Sequence, residues 1–371
     1  MKRGIEIALA AVMVLSLMGL GFVGCQGEGP GTPEAPSGPG ETPEVYKLKL
    51  STFDSSASWN WEPQYLGFKN AVEEDSDGRI LIDLYPSSSL LSQAGTPDGL
   101  IAGVADIGVA IPSYNRAYWT LEEIWTLPPL WSTAEQVTML AYDLHDEYFE
   151  AEYTALGLHD IAYTPTSACW IASKVPIDTV EDFQGMTFRA ATSSFIELMD
   201  KLGAVCVPMA FFESYEGLQK GIFDASVINP VWIEMAGWYE VAKNIIDVGG
   251  LPAGPNDLVM SLATYESLPA DLQKVIDDRG WEFLGVLQVK QEDERDIMAL
   301  ENMEAAGCTI TVWPQSEMER LTTGYKYPMW DDWAAKIDAL GLPGTELVTK
   351  VKALAPQYVE DYPAPTEVTY W

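Results

Sequence analysis

The chain has 371 residues, with 55 acidic side chains against 21 basic ones, a formal net charge of −34 and only two histidines. A surface so negative excludes nucleic acid as a partner, and its general consequence is solubility rather than any particular fold. No HExxH, GxSxG, P-loop or CxxC pattern occurs, nothing asks for a cofactor, a metal ion or an enzyme, and paired carboxylates carry no information in so acidic a chain.

In chain order, Lys2 and Arg3 precede an apolar run from Ile7 to Val23 that only Ser16 and glycines interrupt, the layout of a secretory signal. Gly24 directly before Cys25 resembles the end of a bacterial lipoprotein signal, which predicts an acylated Cys25 at the start of the mature chain. Phe22 stands where such signals usually carry Leu. A plain membrane anchor is the alternative, but the run falls short of the roughly 20 residues that span a bilayer comfortably. Gly19, Gly21 and Gly24 spell GxGxxG inside the signal with no strand ahead, so they make no dinucleotide site. Residues 25–44 are mostly Gly, Pro, Glu, Ser and Thr and read as a flexible tether. About 325 residues remain, enough for two ordinary domains.

Tyr46–Leu50 alternates as a strand should, a helix follows from Pro63 to Asp75, and Arg79–Tyr85 is a second strand. A short helix over Pro97–Val104 leads to a strand at Asp106–Ala110. Ser132-Thr-Ala-Glu135 looks like a capping box for a helix that Gly157 ends. Strands at Cys169–Ser173, Met186–Ala190, Ala204–Met209 and Phe223–Ile228 then alternate with helices at Thr179–Phe183, Phe195–Leu202 and Glu213–Lys220. Both series argue for α/β lobes. From Leu268 to Ala306 a helical pattern runs nearly unbroken; at about 1.5 Å per residue it exceeds 50 Å and bridges both lobes unless Gly280 or Gly285 breaks it. His145 and His159 read as surface residues. Cys169, Cys206 and Cys308 form no disulfide framework and no zinc pattern, with a single bridge left open.

The ordered set Gly78-Arg-Ile, Tyr85-Pro86, Ser89-Leu90, then Leu100, Gly103, Asp106 and Gly108 is one half of a resemblance. Pro176, Glu181-Asp-Phe-Gln-Gly-Met-Thr-Phe-Arg189, Leu202-Gly203-Ala204, Glu213-Ser-Tyr-Glu-Gly-Leu-Gln-Lys-Gly221, Asp224 and Asn229-Pro230 make the other half. Together they resemble the substrate-binding subunit of tripartite ATP-independent periplasmic (TRAP) transporters, dicarboxylate-binding type, over nearly all of the body. The resemblance implies a two-lobed α/β (Venus flytrap) fold with mixed sheets and a long bridging helix. Residues 45–167 with about 255–294 would form lobe I, and 168–254 with about 295–371 lobe II. It implies a small organic anion as ligand, membrane subunits of a transporter as partners, and an extracytoplasmic location with the membrane reached through the lipid anchor alone. Arg189 would bind the ligand carboxylate through its rigid fork of donors, Asn229 would hydrogen-bond the same group, and Phe212 would wall the site.

Departures from the family pattern bear on the ligand. Members that bind sialic acid carry a second Arg where this chain has Cys169, followed by Trp170, and their first-lobe polar positions fall near Phe53 and Ile111. Trp59, Trp61, Tyr114, Trp119 and Trp232 lie close to the expected cleft loops. Charge lost and apolar surface gained favour a monocarboxylate with an apolar or aromatic body over a C4-dicarboxylate. The rival readings are an exported hydrolase, a sensory ligand-binding lobe, and the binding protein of an ATP-driven importer, from which the bridging helix distinguishes it.

Overall fold

Leu48 and Leu50 are buried while Lys47 and Lys49 face out, so the alternation at the start of the body becomes strand β1 (Tyr46–Ser51) of a five-stranded sheet. The computed structural model describes residues 44–364 apart from 115–117, 165–166, 191, 210 and 253. The expected signal, Cys25 and nearly all of the tether lie outside the described residues.

β1 pairs in parallel with β2 (Ile80–Tyr85) and β3 (Ile107–Ala110). Beyond β3 lie β10 (Asp257–Ser261) and then β4 (Leu158–Ala162), with β10 antiparallel to both neighbours. The second sheet has six strands in the order β11 (Thr309–Val312), β9 (Asn244–Leu251), β5 (Cys169–Ser173), β8 (Ala225–Ile228), β6 (Thr187–Arg189), β7 (Val205–Val207). Here β5 runs antiparallel to β8 and β9, whereas β6 is parallel to both of its neighbours. Both sheets are mixed, as expected.

The sequence pattern does not announce β4, β9, β10 or β11. In β10 all five residues are buried, so the period-2 alternation that marks a half-exposed strand is missing.

The long helix is continuous from Ala270 to Ala305, with a π-helical stretch over Trp281–Gln288 in place of a break. Leu272, Ile276 and Leu284 pack with Leu50, Ile82 and Phe68 under the first sheet. Ala299 and Met303 pack with Ala172 and Ile245 of the second. The helix therefore bridges the two cores.

Two local expectations need correction. The helix Ala134–Tyr148 is capped by Thr133, whose hydroxyl accepts from Gln136 N at 3.3 Å, while Gln136 Oε1 accepts from Ser132 N at 2.8 Å. The box is one residue later than Ser132 and Glu135, because Thr133 is the residue in extended conformation. Asp293 of the bridging helix accepts from Ala134 N and Glu135 N at 2.8 and 3.0 Å, so a carboxylate from a distant element completes this cap. The expected partition puts the last helices, Tyr327–Ala339 and Gly344–Asp361, in lobe II with the rest of 295–371. Trp330, Trp333, Leu347 and Val351 pack instead against Trp119, Trp125, Leu140 and Leu144 of lobe I. Their large apolar faces fill the side of the first lobe, and Trp330 Nε1 donates to Pro128 O at 2.9 Å.

Among the described residues no helix is long and apolar enough to cross a membrane, and Cys169, Cys206 and Cys308 are unbridged.

Candidate functional site

Parallel strands end where their side chains can converge on a crevice, and ligands bind there in open α/β sheets. In lobe I, β1 runs into Phe53 and Asp54, and β3 into Ile111. In lobe II, β6 ends on Arg189 and β8 runs into Asn229. These strand ends, with Leu284, Gln288 and Glu292 of the bridging helix, line one cavity of about 480 Å³ between the lobes.

Arg189 is the one basic residue among the described lining, and it is nearly buried, with 7 % of its surface exposed. Its Nε donates to Met209 O at 3.2 Å, and its guanidinium carbon lies 5.7 Å from the centre of the Phe211 ring. The fork is thus held from the side and from one face. Asn229 precedes the helix Pro230–Met235 but makes no capping bond. Its Nδ2 donates instead to Glu292 Oε1 at 2.7 Å.

The opposite wall is acidic. Asp54 Oδ2 accepts from Tyr65 Oη at 2.6 Å, Asn60 Nδ2 at 3.0 Å and Thr52 Oγ1 at 3.4 Å. Burial raises the Asp54 pKa, and those three donors oppose the rise. Burial and the charge of Asp293 push Glu292 up to about 8, against a hydrogen bond from Ser167. Asp296, one turn further, accepts from Val231 N at 2.8 Å and is raised well above the usual range by burial and by Glu292. Cys169 is pushed up to about 12, chiefly by burial, and stays a thiol.

The remainder mixes apolar side chains, Phe53, Trp59, Met209, Phe211 and Trp232 among them, with neutral polar ones such as Ser113, Thr192, Asn256 and Gln288. Arg295 lies over the Trp59 ring at 5.1 Å and fixes its plane.

Of the residues singled out from the sequence, Arg189, Asn229, Phe53, Trp59, Ile111, Cys169 and Trp232 line this cavity. Trp170 does not. Successive strand residues point to opposite faces, so with Cys169 turned inward Trp170 lines a separate cavity on the far side, near Gly250 and Lys326. Trp119 is fully buried among Tyr118 and Tyr153, and Trp61 packs against Tyr65 under the first sheet. The side chains of Tyr114 and Phe212 lie outside the described set; Phe211, its neighbour, is the aromatic wall beside Arg189. Asp54, Asn60, Gln288 and Glu292 escaped sequence reasoning. The spacing 284, 288, 292 puts Leu284, Gln288 and Glu292 on one helical face, a signal that was present but not decisive.

Two mixed α/β sheets joined by a bridging helix, with a cavity between them that holds the strand ends, define a two-lobed solute-binding protein. The DctP family, described as bacterial extracellular solute-binding protein, family 7, matches residues 55–336; the chain belongs to it. The ectoine-binding periplasmic protein TeaA of Halomonas elongata is 25% identical over 329 residues, covering 82% of this chain and 92% of its own. A solute-binding protein of a Sulfitobacter strain is 28% identical over 284 residues, 74% of this chain and 83% of its own. Among solved structures, a TRAP solute-binding protein of Rhodoferax ferrireducens in complex with copurified benzoate superimposes with a TM-score of 0.75 at 23% identity, covering 85% of this chain and 99% of its own. The protein is thus a bacterial extracellular solute-binding protein of this family, and solved TRAP periplasmic solute-binding proteins share its fold.

Proposed function

We propose that the protein captures a small organic monocarboxylate outside the cytoplasmic membrane, with Arg189 and Asn229 as the carboxylate site, and delivers it to the membrane subunits of its transporter. The observation that carries this reading is the guanidinium of Arg189 at the end of β6, lining a cavity with no other basic side chain among its described residues. In a chain of net charge −34 the long-range field opposes an anion, so capture needs a fixed local cation that cannot lose its proton. Support also comes from relatives whose names include ectoine and C4-dicarboxylates and from solved structures holding benzoate or β-D-galacturonate, each a carboxylate. Closure of the lobes about the bridging helix and the crossing segments sheds water and seals the ligand.

A carboxylate ligand is expected to raise the melting temperature in a dose-dependent way. Arg189→Ala should weaken its binding at least about 30-fold, the scale of a lost buried charge contact, by titration calorimetry. Affinity kept within threefold would remove Arg189 from the site.

The lobe partition with boundaries near 167, 254 and 294, and the lipid anchor at Cys25 on a tether reaching residue 44, belong to the same proposal. In cells fed labelled palmitate, the wild type should take up label and stay with membranes, and Cys25→Ala should do neither. Label retained by the variant would reject the anchor.

A further inference from the structure

The wall facing Arg189 carries acceptors whose hydrogen bonds are incompletely supplied. Asn60 is buried, with 3 % of its surface exposed, and its Nδ2 is committed to Asp54 Oδ2. That bond fixes which way the amide faces. It leaves Asn60 Oδ1 buried with no hydrogen-bond partner among the described residues. An orphaned buried acceptor costs about 1–3 kcal/mol, and native structures keep few of them without a use. Asn60 lines the cavity, so a donor on the ligand that reaches Oδ1 through a small shift of the wall would complete it.

Two further acceptors border the same space. The hydrogen bonds that Tyr65, Asn60 and Thr52 donate to Asp54 all fall on Oδ2, and Asp54 lines the cavity. Glu292 projects from the bridging helix beside it and holds Asn229. The cavity therefore has a cation in lobe II and acceptors in lobe I at Asp54 and Asn60, with Glu292 of the bridging helix bonded to Asn229 between them.

We propose that the ligand is a monocarboxylate bearing a hydrogen-bond donor (hydroxyl, amide N–H or ammonium) remote from its carboxylate, and that Asp54 and Asn60 read that donor. This rests on Arg189 as the carboxylate anchor. A parent acid without the donor leaves Asn60 Oδ1 orphaned. A dicarboxylate brings a second anion against Asp54 and Glu292. Either carboxyl could donate if protonated, but an amide oxygen only accepts, so Asn60 decides the sign of the preference.

The test uses two matched series at pH 7.5, read by titration calorimetry: benzoate, 3-hydroxybenzoate and isophthalate; butanoate, 4-hydroxybutanoate and succinate. In whichever series binds, the hydroxy acid should be at least tenfold tighter than both its parent and its dicarboxylate. Asn60→Leu should narrow the hydroxy-to-parent ratio to under threefold. Asp54→Asn, which keeps the volume, should narrow it too and serves if the first variant does not fold. Binding lost in Arg189→Ala but with no preference for the hydroxyl would overturn this inference and leave the carboxylate reading intact. A dicarboxylate that binds tightest would overturn it as well, whereas no binding of any acid in either series would overturn both.

Discussion

His145 lies on the helix Ala134–Tyr148 with Nε2 2.5 Å from Asp160 Oδ2. It is 9 % exposed, not the surface residue that a histidine in an acidic, amphipathic helix suggests. Burial pulls its pKa down, but the hydrogen bond and charge of Asp160, with Asp146 adding, lift it to about 9. A folded pKa raised from 6.5 means that the pair stabilises fully below about 6.5 and that this contribution is lost as pH rises through about 9. His145→Gln is therefore expected to cost about 3 kcal/mol at pH 6, since it strands a buried carboxylate, and clearly less at pH 10. Denaturant titrations at the two pH values check this; equal losses would mean that packing rather than charge holds the residue. The same limit on legibility applies to the cleft. Arg189 and Asn229 could be placed on the cleft because they stand at strand ends in a recognisable order. Asp54 and Glu292 could not, because with 55 acidic residues no single carboxylate stands out until its burial is seen.

Among elements, the bridging helix is the one on which most of the architecture depends. Its length was legible from an unbroken helical pattern, and its continuity through Gly280 was not. Gly280 is where the helix meets β4: a Cβ there would lie 2.0 Å from Ile161 Cγ2 and 2.9 Å from Ile161 O. The glycine is a close-approach residue in a helix interior, kept despite a propensity disadvantage of about 1 kcal/mol relative to alanine. Gly280→Ala is expected to destabilise by about 1–3 kcal/mol, the cost of overpacking against a backbone that cannot yield. A midpoint in urea that rises instead would show that the helix and sheet can part without cost. Strand detection failed for a related reason. Elements such as β10 are enclosed on every side, so their sequences lack the contrast between wet and dry faces that periodicity depends on.

For the molecule as a whole, the sequence disclosed the class of architecture and the crossing points better than the final assignment of helices. Which lobe a terminal helix joins depends on which apolar faces remain uncovered after the sheets have formed, and that information is spread over the chain. Tyr148 Oη donates to Glu346 at 2.8 Å across 198 residues of sequence, and Trp330 reaches Pro128 across 202. The first core is thus closed by helices that lie about 200 residues further along the chain. Without them the Trp119, Trp125 and Leu140 cluster would lose the cover that Trp330, Leu347 and Val351 provide. A chain cut before residue 327 would therefore leave a face of aromatic side chains open to water or to a neighbouring molecule.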